Sequence, residues 1–227
     1  MRYLSAMNSA RPHLCRSLRI ALLLLSAALW SGCSGKHSAG AEPIAAKTNN
    51  KKAVDTAVAM LKTGNIVLRM GLGTDSYMLS LLNKKDKSYS HCGIVAVEDG
   101  YPFVYHSIGG EDNPDARLRR DSAEYFFSPE RNGAIAVVQY DMDDSGINRL
   151  VNNAREYYRR RTRFDLKFDL KTDDELYCSE FVYKTLTQAA RDTAYLPTSH
   201  LPAGDYVAID NLFINKHARL IWHTQFK

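Results

Sequence analysis

SHCGIVAVEDGYPFVYHSI, residues 90–108, decides how the rest of the chain is read. Two β-prone runs, YSHCGIVAV (89–97) and YPFVYHSI (101–108), are joined by Glu-Asp-Gly. Asp-Gly between such runs is a strong hairpin signal. In an antiparallel hairpin, residues opposite one another share a face. His91 and His106 lie about equally far from the turn, so their rings are expected on one face. Alternation then sends Cys92 to the other face with Ile94 and Ala96, as a core thiol. The two imidazoles have three readings: a proton-transfer pair, two buried polar groups with backbone partners, or two ligands of an incomplete zinc site.

Outward from this hairpin, NIVLRM (65–70), GAIAVVQYD (133–141) and HARLIWHTQF (217–226) read as further strands. KKAVDTAVAMLK (51–62) places Val54, Val58 and Leu61 at helical spacing, and a short helix is predicted over 77–82. SGINRLVNNAREYYRR (145–160) forms a stripe of Ile147, Leu150, Val151, Ala154 and Tyr158, with Ser145 as a cap. The basic run RRRTR (159–163) complements the negative end of that helix, the alternative being recognition of an anionic substrate or headgroup. GGEDNPDAR (109–117) reads as loop. Helices with a mostly antiparallel sheet give an α+β class, and no internal repeat is present.

DDELYCSEFVYKTL (173–186) opens another helix, carried by Leu176, Val182, Leu186 and Ala189. Thr172 and Asp173 are predicted caps with Glu175 in the first turn, so Cys178 falls in the first turn or two. Backbone N–H groups and the helix dipole there favour an anion, and a thiol so placed becomes a better nucleophile. The alternative is a small apolar filler on a buried face. A nucleophilic cysteine needs a base, and His91 with His106 is the one geometric pair. His37, His200, His217 and His223 read as structural or solvated. Cys178 is expected on the His91 side, away from Cys92, so a disulfide between them is not expected. No G-x-S-x-G elbow offers a serine instead.

The start of the chain is different in kind. Residues 1–32 carry four arginines, no acid, and an apolar run from Ile20 to Trp30 that is too short to span a bilayer. They read as a signal peptide of the lipoprotein type, with Cys33 as the lipidation site; the alternative is an ordinary cleaved signal whose exit contains a cysteine. The formal charge of +5 falls to +1 without them, which gives no reason to invoke nucleic acid. Small polar residues follow, so 33–52 is expected to be a flexible tether and 53–227 the folded domain. Ser34, after Cys33, favours the outer membrane if the cell is Gram-negative. The expected location is the cell envelope, facing the periplasm.

SHCGIVAV, then YHSI, then YCSEFVYKTL far downstream resembles the permuted papain-like cysteine hydrolases of the YiiX/YebB type. These belong to the NlpC-like superfamily and are related to lecithin retinol acyltransferase. TGNIVLR and FDLKFDL are similar to family segments, with Asn65 where an acid is usual. The resemblance covers about residues 55–225. It implies a circularly permuted papain-like fold, with an antiparallel sheet packed against helices. It implies Cys178 as nucleophile, His91 as base and His106 as the orienting third member, with no metal or other cofactor. Tyr177, Ser179 and Glu180 match the motif and are candidates for substrate binding. The implied chemistry is a thioester on Cys178, with His91 protonating the leaving group and then activating water. The Cys178 N–H would stabilise the oxyanion, worth ~3 kcal/mol per donor.

Exported and membrane-tethered, such an enzyme is expected to cleave an amide bond in peptidoglycan peptide. A lipid acyl hydrolase or acyltransferase is the alternative, and a non-catalytic binding lipoprotein is the second. A tight polar pocket would favour peptide and an open apolar groove would favour lipid.

Overall fold

The computed structural model describes residues 44–110, 113, 115–202 and 204–227. The expected signal peptide and lipidation site, Cys33, lie outside the described residues. Eight strands form: β1 (Ile66–Gly71), β2 (His91–Glu98), β3 (Tyr101–His106), β4 (Arg119–Ser122), β5 (Asn132–Tyr140), β6 (Ser199–Leu201), β7 (Gly204–Tyr206) and β8 (Ala218–Gln225). Among the described residues five α-helices accompany them, α1 (Ile44–Met60), α2 (Thr74–Ser80), α3 (Ala123–Phe126), α4 (Asp144–Arg159) and α5 (Cys178–Ala190), with a 3₁₀ turn at Ile209–Leu212.

Six strands make one sheet in the order β4-β3-β2-β1-β5-β8, every neighbouring pair antiparallel. β6 and β7 form a separate small hairpin. The predicted turn between β2 and β3 is present: Asp99 and Gly100 have φ of 50° and 84°. Positive φ at both central residues is the I′ geometry that matches strand twist.

Alternation gives the sheet two buried faces. Cys92, Ile94, Ala96, Ile66, Leu68 and Ala136 pack under α4 and α5. Val67, Val95, Val104, Ile135 and Val137 pack under α1 and α3. Helices on both faces bury every central strand, which suits the unbroken apolar runs of β2 and β5. The α+β class with an antiparallel sheet against helices is as expected.

Several boundaries differ from the sequence reading. α1 starts at Ile44, so residues 44–52 are helical rather than tether. Asn50 donates to the Lys227 carbonyl at 2.9 Å, which fastens this helix to the chain's last residue. The cap of α4 is Asp143, not Ser145; its carboxylate accepts from the Gly146 N–H at 2.6 Å. α5 starts at Cys178 itself, beyond Thr172 and Asp173. Glu180, its third residue, accepts from the Tyr177 N–H at 3.2 Å. That is one half of a capping box, and a local carboxylate suffices to start the helix there. β4 and α3 were not legible: RRDS is short and charged, with no apolar alternation.

Candidate active site

The site is built where β2 and β3 meet the entrance of α5. Register pairs Glu98 with Tyr101 and Ile94 with Tyr105. His91 and His106 therefore share a face, offset diagonally by two residues. His91 Nε2 lies 2.9 Å from His106 Nδ1, with ring centroids 5.0 Å apart and planes at 80°. Phe126 of α3 backs both rings.

Gly93 makes this approach possible. It occupies the position beside both rings, and a Cβ there would sit 2.4 Å from Val104 Cγ1 and 2.9 Å from the Tyr105 carbonyl oxygen. Neither can yield cheaply. Gly93→Ala is expected to cost about 1–3 kcal/mol of stability and to separate the imidazoles. A thermal melt that shows no loss would contradict this close packing.

The chain of contacts continues past His106. Its Nε2 lies 3.0 Å from Asp121 Oδ2, and Asp121 Oδ1 is 2.8 Å from Arg119 Nη2. Asp121 is the residue the sequence reading missed. It sits in the unrecognised β4, two residues along from the partner of His106, on the same sheet face. Burial alone would raise its carboxyl. Hydrogen bonds from His106 and Arg119 oppose this and hold it below its usual range.

An ionised Asp121 fixes both tautomers. It must accept from His106 Nε2–H. His106 Nδ1 then bears a lone pair and accepts from His91 Nε2–H. His91 Nδ1 is left as the basic nitrogen. Burial is the main force on His91, helped by the charge of Arg69 and then by His106; together they hold it well below 6.5. Burial also lowers His106, against the pull of Asp121. Both rings are neutral at pH 7, as a base requires.

Cys178 stands on the other face. Its thiol packs with Cys92 in the α4–α5 core. The sequence reading that put it on the His91 side is corrected: α5 crosses the face carrying Cys92, Ile94 and Ala96. His91 is the first residue of β2, where the sheet ends, and there both groups reach one cavity. Among the described residues no hydrogen bond joins Cys178 to either imidazole. Both cysteines are reduced.

The neighbouring Cys92 thiol is the largest influence on Cys178 and holds it below its usual value, against burial. The Ser179 N–H and the charge of Arg69 act the same way. The Ser179 hydroxyl contributes little, since its one hydrogen goes to the Val207 carbonyl at 2.7 Å. Burial, reinforced by the neighbouring Cys178, pushes Cys92 well above its own usual value. The expected result is that iodoacetamide alkylates Cys178 with a midpoint below pH 9.0. Cys92→Ala should move that midpoint upward. An unchanged midpoint would remove Cys92 as the group that lowers Cys178.

The residues flanking Cys178 hold it in place. Tyr177 Oη accepts from the Val207 N–H at 2.9 Å, and Ser179 grips the same residue's carbonyl. Ser107, next to His106, donates to the Leu176 carbonyl at 2.6 Å, which ties the histidine strand to the cysteine segment. Tyr177 and Ser179 line the cavity, but Glu180 does not. Glu180 is fully buried, capping α5 and pairing with Lys184 at 3.0 Å. Burial lifts its carboxyl to about 7 despite Lys184. Its expected place in substrate binding is replaced by this structural one.

The cavity has a volume of about 940 Å³. Leu72, Met78, Leu79, Ile108, Phe164 and Phe168 supply much of its wall, and Arg69 and Arg131 stand on one side.

No protein-family model matches the chain, and no curated protein matches it. Among solved structures, the metalloprotein YiiX from Escherichia coli O157:H7 is similar. The TM-score is 0.58 at 16% identity, covering 72% of this chain and 98% of that one. The fold is YiiX-like, as the resemblance read from the sequence implied.

Proposed function

We propose that this protein is a cysteine-dependent acyl-transfer hydrolase. The observation that carries the reading is a single cavity lined by a helix-entrance thiol and by the first imidazole of a His–His–Asp chain. Cys178 thiolate attacks a substrate carbonyl. His91 Nδ1, having taken the proton of the Cys178 thiol, gives it to the leaving group, and a thioester forms. His91 Nδ1 then takes a proton from water, which attacks the thioester; the acid leaves and the thiolate returns. The Cys178 N–H, first in α5, has no intrahelical acceptor and faces the developing oxyanion. Histidine on a strand before cysteine on a helix is the order of the permuted papain-like enzymes.

The substrate reading changes with the cavity wall. Peptidoglycan peptide was expected from location. The largely apolar lining favours the alternative, an acyl lipid whose chain lies along Leu72, Met78, Phe164 and Phe168. Arg69 and Arg131 keep a second reading in play, since a guanidinium pair suits a peptide carboxylate.

YiiX is described as a metalloprotein. The donors here do not fit an ion. His91 and His106 turn facing nitrogens on each other at 2.9 Å. Among the described residues, no group of three or more His, Cys, Asp or Glu is arranged to hold one.

Purified protein should be incubated with phospholipid and with peptidoglycan fragments, and the products identified by mass spectrometry. Free fatty acid, absent with Cys178→Ala, is the expected result. Peptide products alone would select the second reading, and no product from either would overturn both.

A further inference from the structure

We propose that the mouth of the cavity docks onto a lipid bilayer, with α2 and the 164–168 segment entering its surface. The inference rests on the acyl-lipid reading above and adds where that lipid comes from. Leu72, Met78, Leu166 and Phe168 line the cavity and are also 64%, 59%, 77% and 37% exposed. Side chains that do both stand at its opening. They come from two separate segments, one before α2 and along it, one ahead of α5.

Tyr77 and Leu81 extend the patch at 58% and 41% exposure. α2 buries only Ser80 and leaves Tyr77 and Met78 exposed beside Thr74 and Asp75, so two of its large apolar side chains face water. Exposed large apolar side chains gathered in one place mark an interaction surface.

The charge around the patch favours a bilayer over a second protein. Lys84, Lys85 and Lys87 come shortly after Leu81, past Leu82 and Asn83, and Lys167 lies between Leu166 and Phe168; all four are exposed. Asp75, Asp86 and Asp169 offset part of this charge. Apolar tips flanked by lysine suit an interface with anionic headgroups. An acyl chain leaving the bilayer would pass from lipid to the apolar wall without crossing water, which removes the main cost of extraction. Among the described residues no helix is long and apolar enough to cross a membrane.

The test places a reporter on the patch. In the full chain, Trp30 and Trp222 are changed to Phe and Leu166→Trp is added. A matched control carries Tyr101→Trp, exposed at 68% on the β2–β3 turn, at the far end of β2 from His91. Each is mixed with phosphatidylcholine–phosphatidylglycerol vesicles whose acyl chains are brominated. Tryptophan at 166 should shift to the blue and lose about half its emission or more, while tryptophan at 101 should not respond. Adding Met78→Glu should abolish the quenching at 166. Equal quenching at both sites, or none at 166, overturns the proposal. A blue shift at 166 that depends on protein concentration and not on vesicles would assign the patch to a second copy, also against it. The same measurement in the Cys178→Ala chain separates the two claims. Quenching kept while wild-type protein releases no fatty acid sinks the hydrolase reading alone.

Discussion

Cys178→Ala is expected to lower turnover by on the order of 10⁴-fold or more, with the fold intact. The covalent step has no substitute once the sulfur is gone. Cys92, the other thiol in the core, is fully buried and points away from His91. Alanine at 178 leaves only a small volume empty next to Cys92, so the melting temperature should change little. Cys92→Ala should retain activity, reduced severalfold as Cys178 loses the neighbouring thiol that lowers it. The two variants, assayed side by side on the substrate found by product analysis, separate nucleophile from neighbour. Equal rates would remove the mechanism.

The second large effect is at Asp121. Asp121→Asn should reduce turnover by about 10²–10³-fold, although it is separated from the cavity by two imidazoles. Asparagine is nearly isosteric, but it is neutral and can donate. If its amide N–H faces His106 Nε2, that nitrogen becomes an acceptor. Both rings then exchange tautomers: His106 Nδ1–H donates to His91 Nε2, and His91 Nδ1 carries a hydrogen. A base becomes a donor. A merely structural role would change the melting temperature without changing the tautomers. The discriminating readout is therefore the ¹⁵N shifts of the two imidazoles, which should invert between wild type and Asp121→Asn. The pH profile offers a further check. Both rings are held below 6.5, so wild-type activity should persist as pH falls through 6.5 and decline only on further acidification, when His91 takes up a proton. A decline centred at 6.5 would mean that His91 is not buried in the working enzyme.

What the sequence disclosed depended on how much of each signal is local. The β2–β3 hairpin was legible because Asp99-Gly100 sets both turn and register, and register places the two histidines on one face. Cys178 at the head of α5 was legible from a polar run followed by apolar residues at helical spacing. The start of that helix was misplaced because Thr172 and Asp173 are good caps in isolation. The chain instead passes through the Arg163–Glu175 bridge and the Leu176–Arg163 hydrogen bond before turning helical. No local pattern encodes that detour. Asp121 was invisible for a related reason. β4 is stabilised by its pairing with β3 and by side chains reaching His106 and Glu98, not by apolar alternation. The side of the sheet on which Cys178 packs is likewise a tertiary fact. It follows from α5 crossing the Cys92 face, which period-two alternation within β2 cannot reveal.

The central claim is that the sulfur of Cys178 becomes acylated. A chromogenic p-nitrophenyl ester of a medium-chain fatty acid tests it without knowledge of the natural lipid. Mixed with stoichiometric enzyme, it should release a burst of nitrophenol equal to the protein concentration. A quenched digest should carry the acyl group on the peptide containing Cys178. A burst whose acyl group maps to another residue, or steady release with no acyl-enzyme in either wild type or His91→Ala, would contradict the account.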